Sequence, residues 1–146
     1  MNEIIRVMLV EDNREYRKAI SLALDEESEM ELLAEYGTAE ISLRSLLDPL
    51  RAKPDIILLD LRLPGMSGLE ALPYFREYSP ESKIIIITQS DSEEDVLRAI
   101  SLGASGYLLK SATLHEIADG IRSVMAGGAS ALLHATAASE EPDWQY

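Results

Sequence analysis

Asp55-Ile56-Ile57-Leu58-Leu59-Asp60, running on into Leu61-Arg62-Leu63-Pro64-Gly65, is the stretch on which the fold turns. Its apolar residues do not alternate with polar ones, so a strand over Asp55 to Leu59 must be covered on both faces, as at the centre of a parallel sheet. A carboxylate then closes the run, and Pro64-Gly65 marks a turn.

Working outward, Lys83 to Ile87 repeats the same pattern with four consecutive isoleucines. Ile4 to Val10, Met30 to Tyr36 and Gly106 to Leu109 complete a set of β-branched-rich runs that read as strands. The segments between them carry helical spacing. Ala19, Ile20, Ala23 and Leu24 share one face, as do Leu43, Leu46, Leu47 and Leu50, then Val96, Leu97 and Ile100, then Ile117, Ile121, Val124 and Met125. Pro49 and Pro73 each remove a backbone donor from a predicted helix, which predicts a kink or an early stop at both. Thr113 and Glu116 form a capping box for the last helix, and Gly127-Gly128 suits its C-terminal cap. Strand and helix alternate throughout, which predicts an α/β domain with a parallel sheet built from right-handed crossovers. After Gly128 the alanine-rich text and the final Ser139 to Tyr146 show no packing pattern. Residues 1–128 therefore read as the domain and 129–146 as a tail or the start of a linker.

The chain has 146 residues, the size of one domain, and 47% hydrophobic content is enough for a core without staples. It has no cysteine, which removes disulfides, thiolate nucleophiles, zinc fingers and iron–sulfur clusters together. A net charge of -13 repels phosphate backbones, so this segment should not grip DNA by itself. No apolar run approaches a membrane span, and no signal peptide is visible, so a cytoplasmic protein is expected. The glutamates Glu26, Glu27, Glu29 and Glu31 read as a solvated loop and strand edge.

In such a sheet, residues just after each strand's last apolar position gather along one edge, where ligands bind. That edge collects Glu11, Asp12, Asp60, Thr88 and Lys110. Carboxylates crowded together repel one another unless a cation neutralises them, and an all-oxygen set suits a hard ion, with Mg²⁺ the natural candidate. Lys110 adds a positive charge and Thr88 a neutral donor, so the edge suits phosphate. With no cysteine and no Ser–His pair here, a carboxylate is the candidate nucleophile, and Asp60 is best placed. Plainer readings exist for each: Glu11-Asp12 as a helix N-cap, Asp60 as a turn residue, Thr88 as strand content, Lys110 as a solvated lysine.

Glu11-Asp12, Asp60 within Leu58-Leu59-Asp60-Leu61-Arg62-Leu63-Pro64-Gly65-Met66-Ser67-Gly68, Thr88, and Gly103-Ala104-Ser105-Gly106-Tyr107-Leu108-Leu109-Lys110 together resemble the receiver domains of two-component response regulators. The resemblance covers roughly residues 4 to 128. It is nearest to the NarL/FixJ subfamily, in which a receiver precedes a LuxR-type helix-turn-helix output domain. It implies a flavodoxin-like, doubly wound (βα)5 fold with sheet order 2-1-3-4-5. It also implies that Asp60 accepts a phosphoryl group from a sensor histidine kinase, with Mg²⁺ held by Glu11, Asp12, Asp60 and the backbone carbonyl of Arg62. Thr88 and Lys110 would contact the phosphoryl group, Tyr107 would turn inward as the switch aromatic, and any chemistry would be limited to self-phosphorylation and autodephosphorylation. Gln89 departs from the small residue usual after Thr88 and would modulate the phosphoryl site, by crowding it or placing the hydrolytic water. The switched surface would be the helix 4–strand 5–helix 5 face, with Arg98, Ser101, Tyr107 and Ile121, which is also a candidate face for a homodimer. DNA would be reached only through an output domain outside these residues.

Three other readings compete. A haloacid-dehalogenase-type phosphohydrolase needs Asp-x-Asp after strand one, but Asp12 is followed two residues on by Arg14. A flavodoxin-type carrier needs a hydroxyl- and glycine-rich phosphate loop where this chain has Glu11-Asp12-Asn13-Arg14-Glu15-Tyr16. A pseudo-receiver, an interaction module working without phosphate, draws its best support from Gln89.

Overall fold

Burial on both faces explains why the two central strands carry no alternation. The structure is a computed structural model describing residues 3–89 and 92–127. Its strands are β1 (Ile5–Val10), β2 (Met30–Tyr36), β3 (Ile56–Asp60), β4 (Lys83–Thr88) and β5 (Gly106–Leu109). The helices are α1 (Arg14–Asp25), α2 (Ala39–Leu46), α3 (Gly68–Tyr78), α4 (Glu93–Ser101) and α5 (Leu114–Gly127). The sheet has order β2-β1-β3-β4-β5 with every pairing parallel, the expected flavodoxin-like arrangement. All of β3 is buried, and so is β4 from Ile84 onward.

Because successive strand side chains face opposite ways, the sheet feeds two cores. Val10, Ile57, Leu59, Ile84 and Ile86 pack with Leu43, Leu46, Leu72, Phe75 and Val96 from α2, α3 and α4. Val7, Leu9, Ile56, Leu58, Ile85 and Ile87 pack with Ile20, Leu24, Ile117, Ile121 and Val124 from α1 and α5. Each such side chain stabilises the fold by about 1.5–3 kcal/mol relative to exposure.

Helix starts are capped as the residue types dictate. Asn13, Thr38, Ser67 and Ser92 cap α1 to α4, and Ser67 completes a capping box with Glu70. The predicted box before α5 is present too: Glu116 Oε1 accepts from the Thr113 N–H at 2.8 Å, and Thr113 Oγ1 accepts from the Glu116 N–H at 3.1 Å. Gly128 and the tail 129–146 lie outside the described residues.

Several expectations need correction. α2 stops at Leu46, the early stop expected at Pro49, but Leu47 and Leu50 thereby leave the apolar face, and Leu50 is 93% exposed. Pro73 neither stops α3 nor enters the core; it sits exposed inside the helix, where only the bond to the carbonyl four residues back is lost. In α4, Val96 and Ala99 are buried while Leu97 and Ile100 are exposed, one step round the helix from the predicted face. Arg98 and Ser101 are exposed as expected, but Tyr107 and Ile121 are not surface residues: they are 2% and 0% exposed, because β5 and the inner face of α5 both pack into the core.

The acidic run before β2 is also more than a solvated edge. Arg122 of α5 donates to Glu29 Oε1 at 2.6 Å, to Asp119 Oδ1 at 2.7 Å and to Glu27. Glu27 and Glu29 are consequently half-buried, whereas Glu26 and Glu31 stay exposed. At the sheet edge, Val7 pairs with Leu32 and Met8 with Ala34, so Leu33 is the extra residue of a bulge. Among the described residues no helix is long and apolar enough to cross a membrane.

Candidate functional site at the carboxyl edge of the sheet

Parallel strands end together, and their ends place the predicted residues side by side. Glu11 and Asp12 follow β1, and Lys110 follows β5, whereas Asp60 and Thr88 are the last residues of β3 and β4 rather than the first beyond them. One carboxylate oxygen from each of Glu11, Asp12 and Asp60 lies within 4.8 Å of the others. Glu11 and Asp60 are buried and Asp12 is exposed, so the cluster opens to solvent on Asp12's side. The plain N-cap reading of Glu11-Asp12 fails, because Asn13 takes that role: its Oδ1 accepts from the Tyr16 N–H at 2.9 Å.

The plain reading of Lys110 fails as well. Its Nζ lies 2.6 Å from Glu11 Oε1 and 3.1 Å from Asp60 Oδ2, bridging the two buried carboxylates. Backbone donors complete the cradle. The Asn13 N–H donates to Glu11 Oε2 at 2.9 Å and the Arg62 N–H to Asp60 Oδ1 at 3.2 Å. Thr88 is fully buried, and its carbonyl accepts from the Lys110 N–H at 2.8 Å, which fixes where the lysine leaves β5. Gln89 is exposed and thus open to solvent.

The electrostatics follow from crowding charges in a partly dry edge. Burial pushes the Glu11 carboxyl up, with Asp60 adding to the rise and the bond to Lys110 opposing it. For Lys110, burial favours the neutral amine, but the hydrogen bonds to Glu11 and Asp60 outweigh it and hold the ammonium above its usual range. The donor set is all oxygen and carries more negative charge than one lysine neutralises, which fits a hard divalent cation held by Glu11, Asp12 and Asp60.

Three residues that motif reading missed support this site. Arg17 reaches from α1 to the Glu11 carbonyl, 2.7 Å, and pairs with Glu35 at 3.2 Å. Glu40 accepts from the Met66 N–H at 2.9 Å and so ties α2 to the loop after Asp60. The Tyr16 ring lies under the Lys110 ammonium, 4.9 Å from Nζ to the centroid, while its hydroxyl is buried with no hydrogen-bond partner among the described residues. Only their contact partners distinguish these from ordinary helix residues.

Tyr16 yields a measurable consequence. Burial, then the charges of Glu11 and Asp60, push its phenol up to about 12 from 10.0. The folded state keeps a proton that the unfolded chain releases near 10, so this contribution to stability is intact below that pH and is lost as pH rises toward 12. In an ultraviolet titration, Tyr16→Phe is expected to remove one late-ionising phenol from the wild-type curve. The same variant removes an unpaired buried hydroxyl and should be more stable by about 1 kcal/mol in chemical denaturation; equal or lower stability would show that the hydroxyl is satisfied.

With that geometry in hand, comparison with known proteins is direct. A family model of the response regulator receiver domain matches residues 7–122.

The chain belongs to that family.

Among curated relatives of this receiver, response regulator GacA of Pseudomonas protegens is 35% identical over 124 residues, covering 85% of this chain and 57% of its own. The nitrate/nitrite response regulator protein NarL of Escherichia coli K12 is 34% identical over 123 residues, covering 83% of this chain and 55% of its own. The receiver thus spans a little over half the length of the curated relatives it matches. Among solved structures, a LuxR-family two-component response regulator from Aurantimonas sp. SI85-9A1 superposes with a TM-score of 0.80 at 27% identity, covering 95% of this chain and 99% of the other. The signal receiver domain of a NarL response regulator from Mycobacterium tuberculosis gives 0.77 at 29% identity, covering 86% and 98%. This is a receiver domain of a two-component response regulator of the NarL/LuxR type.

Proposed function

We propose that Asp60 is the phosphoacceptor of this receiver and that its phosphorylation by a sensor histidine kinase is the signal the domain passes on. The observation that carries the reading is the convergence of the Glu11, Asp12 and Asp60 carboxylates within 4.8 Å, with Lys110 bonded to two of them. An Asp60 carboxylate oxygen attacks phosphorus of a phosphohistidine; the new O–P bond replaces the N–P bond and the imidazole leaves. Lys110 and the Thr88 hydroxyl meet the transferred phosphoryl oxygens, so a fixed ammonium and a hydroxyl donor offset charge that water would otherwise solvate. Mg²⁺, held by Glu11, Asp12, Asp60 and the Arg62 carbonyl, would neutralise the carboxylates and the incoming phosphoryl group.

Tyr107 is already inside, and in this reading it and Thr88 are the switch residues through which the state of Asp60 is exported. The exposed Arg98 and Ser101 of α4 are then part of the responding surface, which also serves for pairing two copies. In this reading residues 1–128 are the receiver and 129–146 a tail or the start of a linker, and DNA would be reached only through a helix-turn-helix output domain outside this chain. The exposed side chain of Gln89 gives the phosphate-independent reading little support.

Incubation with Mg²⁺ and acetyl phosphate should add about 80 Da, one phosphoryl group, in intact mass spectrometry. The adduct should be absent from Asp60→Asn and strongly reduced by EDTA. Equal labelling of wild type and Asp60→Asn would refute the assignment.

A further inference from the structure

Lys110 presents an unusual problem of control, since its ammonium sits on a flexible four-carbon stem with many rotamers. In the structure it is held by Glu11, by Asp60 and by the face of Tyr16. Under the phosphoacceptor reading, on which this inference rests, both carboxylates change partners as the site is loaded and phosphorylated. The aromatic ring does not.

We infer that Tyr16 is a positioning residue for Lys110, its ring retaining the ammonium at the mouth of the acidic cluster while the carboxylate contacts are exchanged. Three observations place it there. Asn13 caps α1 through the Tyr16 N–H at 2.9 Å, which locks Tyr16 into the first turn. Side chains of a helix lean toward its N-terminus, so a ring at this position reaches back over the β1 end rather than outward. The ammonium lies 4.9 Å from the ring centroid, within the range of a cation–π contact, and the Lys110 side chain is only 14% exposed, so the contact is partly shielded from water. The hydroxyl takes no part: among the described residues it is buried without a partner. The ring's π face is therefore the working element, and phenylalanine should replace it while an aliphatic residue should not.

The test uses the whole chain with Tyr16→Phe, Tyr16→Leu and, should the leucine variant fold poorly, Tyr16→Met. Two readouts are taken. The Lys110 Hε resonances should lie upfield in wild type from the ring current, remain so in Tyr16→Phe, and return to ordinary lysine values in Tyr16→Leu. The initial rate of labelling by acetyl phosphate with Mg²⁺ should be unchanged in Tyr16→Phe and about fivefold lower in Tyr16→Leu, the factor that a cation–π contact of ordinary strength represents. A folded Tyr16→Leu or Tyr16→Met that labels at the wild-type rate would overturn the inference. So would Tyr16→Phe slowed as much as Tyr16→Leu, which would assign the role to the hydroxyl. Failure of the wild type to label at all would instead refute the phosphoacceptor reading, and the Hε shifts would still decide whether the ring holds the lysine.

Discussion

Lys110→Ala, denatured in EDTA at neutral pH, loses roughly 3–4 kcal/mol of folding free energy, because removing one partner of a buried ion pair strands the other. Here two are stranded: Glu11 is 1% exposed and Asp60 is likewise buried, and their carboxylates share the lysine at 2.6 and 3.1 Å. The loss should shrink as pH falls. Glu11 already titrates above 4.5 because it is buried, and without the lysine it rises further. A carboxyl raised in the folded state takes up its proton there first, so acid stabilises the variant relative to wild type as pH drops through that raised value. Excess Mg²⁺ should restore much of the loss at neutral pH by supplying the missing positive charge. A variant as stable as wild type in EDTA would mean that the two carboxylates are solvated and that the acidic cluster is looser than its geometry.

Gly68→Ala should cost about 3 kcal/mol or more, at the upper end of overpacking penalties, because the new methyl has nowhere to go. A Cβ built there lies 2.2 Å from the Asp60 carbonyl oxygen, 2.8 Å from the Leu61 Cα and 2.9 Å from the Asp60 carbonyl carbon. All three are backbone, so no side chain can swing aside. The Gly68 N–H also donates to the Leu61 carbonyl at 2.8 Å, holding the start of α3 against the end of β3. The methyl therefore displaces Asp60 itself, and under the proposed function labelling by acetyl phosphate should fall with stability. Gly127→Ala is the control: a Cβ there meets nothing within 4 Å among the described residues, and the change should be neutral or slightly stabilising. Wild-type stability in Gly68→Ala would show that the β3–α3 junction yields more readily than its contacts imply.

What could be read before folding follows physical range. Strands buried on both faces announce themselves, because every position must be apolar; hence β3 and β4 were legible to within a residue at each end. The acidic edge was legible for the same reason, since a charge that ends a fully buried strand has to face the ligand side. Amphipathic helices were harder. In α4 the choice between Leu97 with Ile100 and Ala99 with Val96 depends on how the helix rolls against β5, and hydrophobicity alone favoured the larger residues. Pro49 and Pro73 carry the same local chemistry, yet one lies beyond a helix end and the other is absorbed on an exposed face. Side-chain contacts away from that edge left no trace in the text: Glu27 and Glu29 looked like solvated charges until Arg122 arrived from 95 and 93 residues away. Tyr16 carried no signal of its own until Lys110 came to lie on it.

That arginine clasp has a mechanical corollary. Arg122 bolts the middle of α5 to the segment just before β2, so tension applied to the helix's C-terminal end is taken up by the sheet's outer strand instead of unzipping the helix turn by turn. β2 itself is bonded to β1 on one side only and is already bent by its Leu33 bulge, so it is the compliant member of the pair. A load on the C-terminal end of α5 would thus be felt first at the far margin of the sheet, on the opposite side from β5.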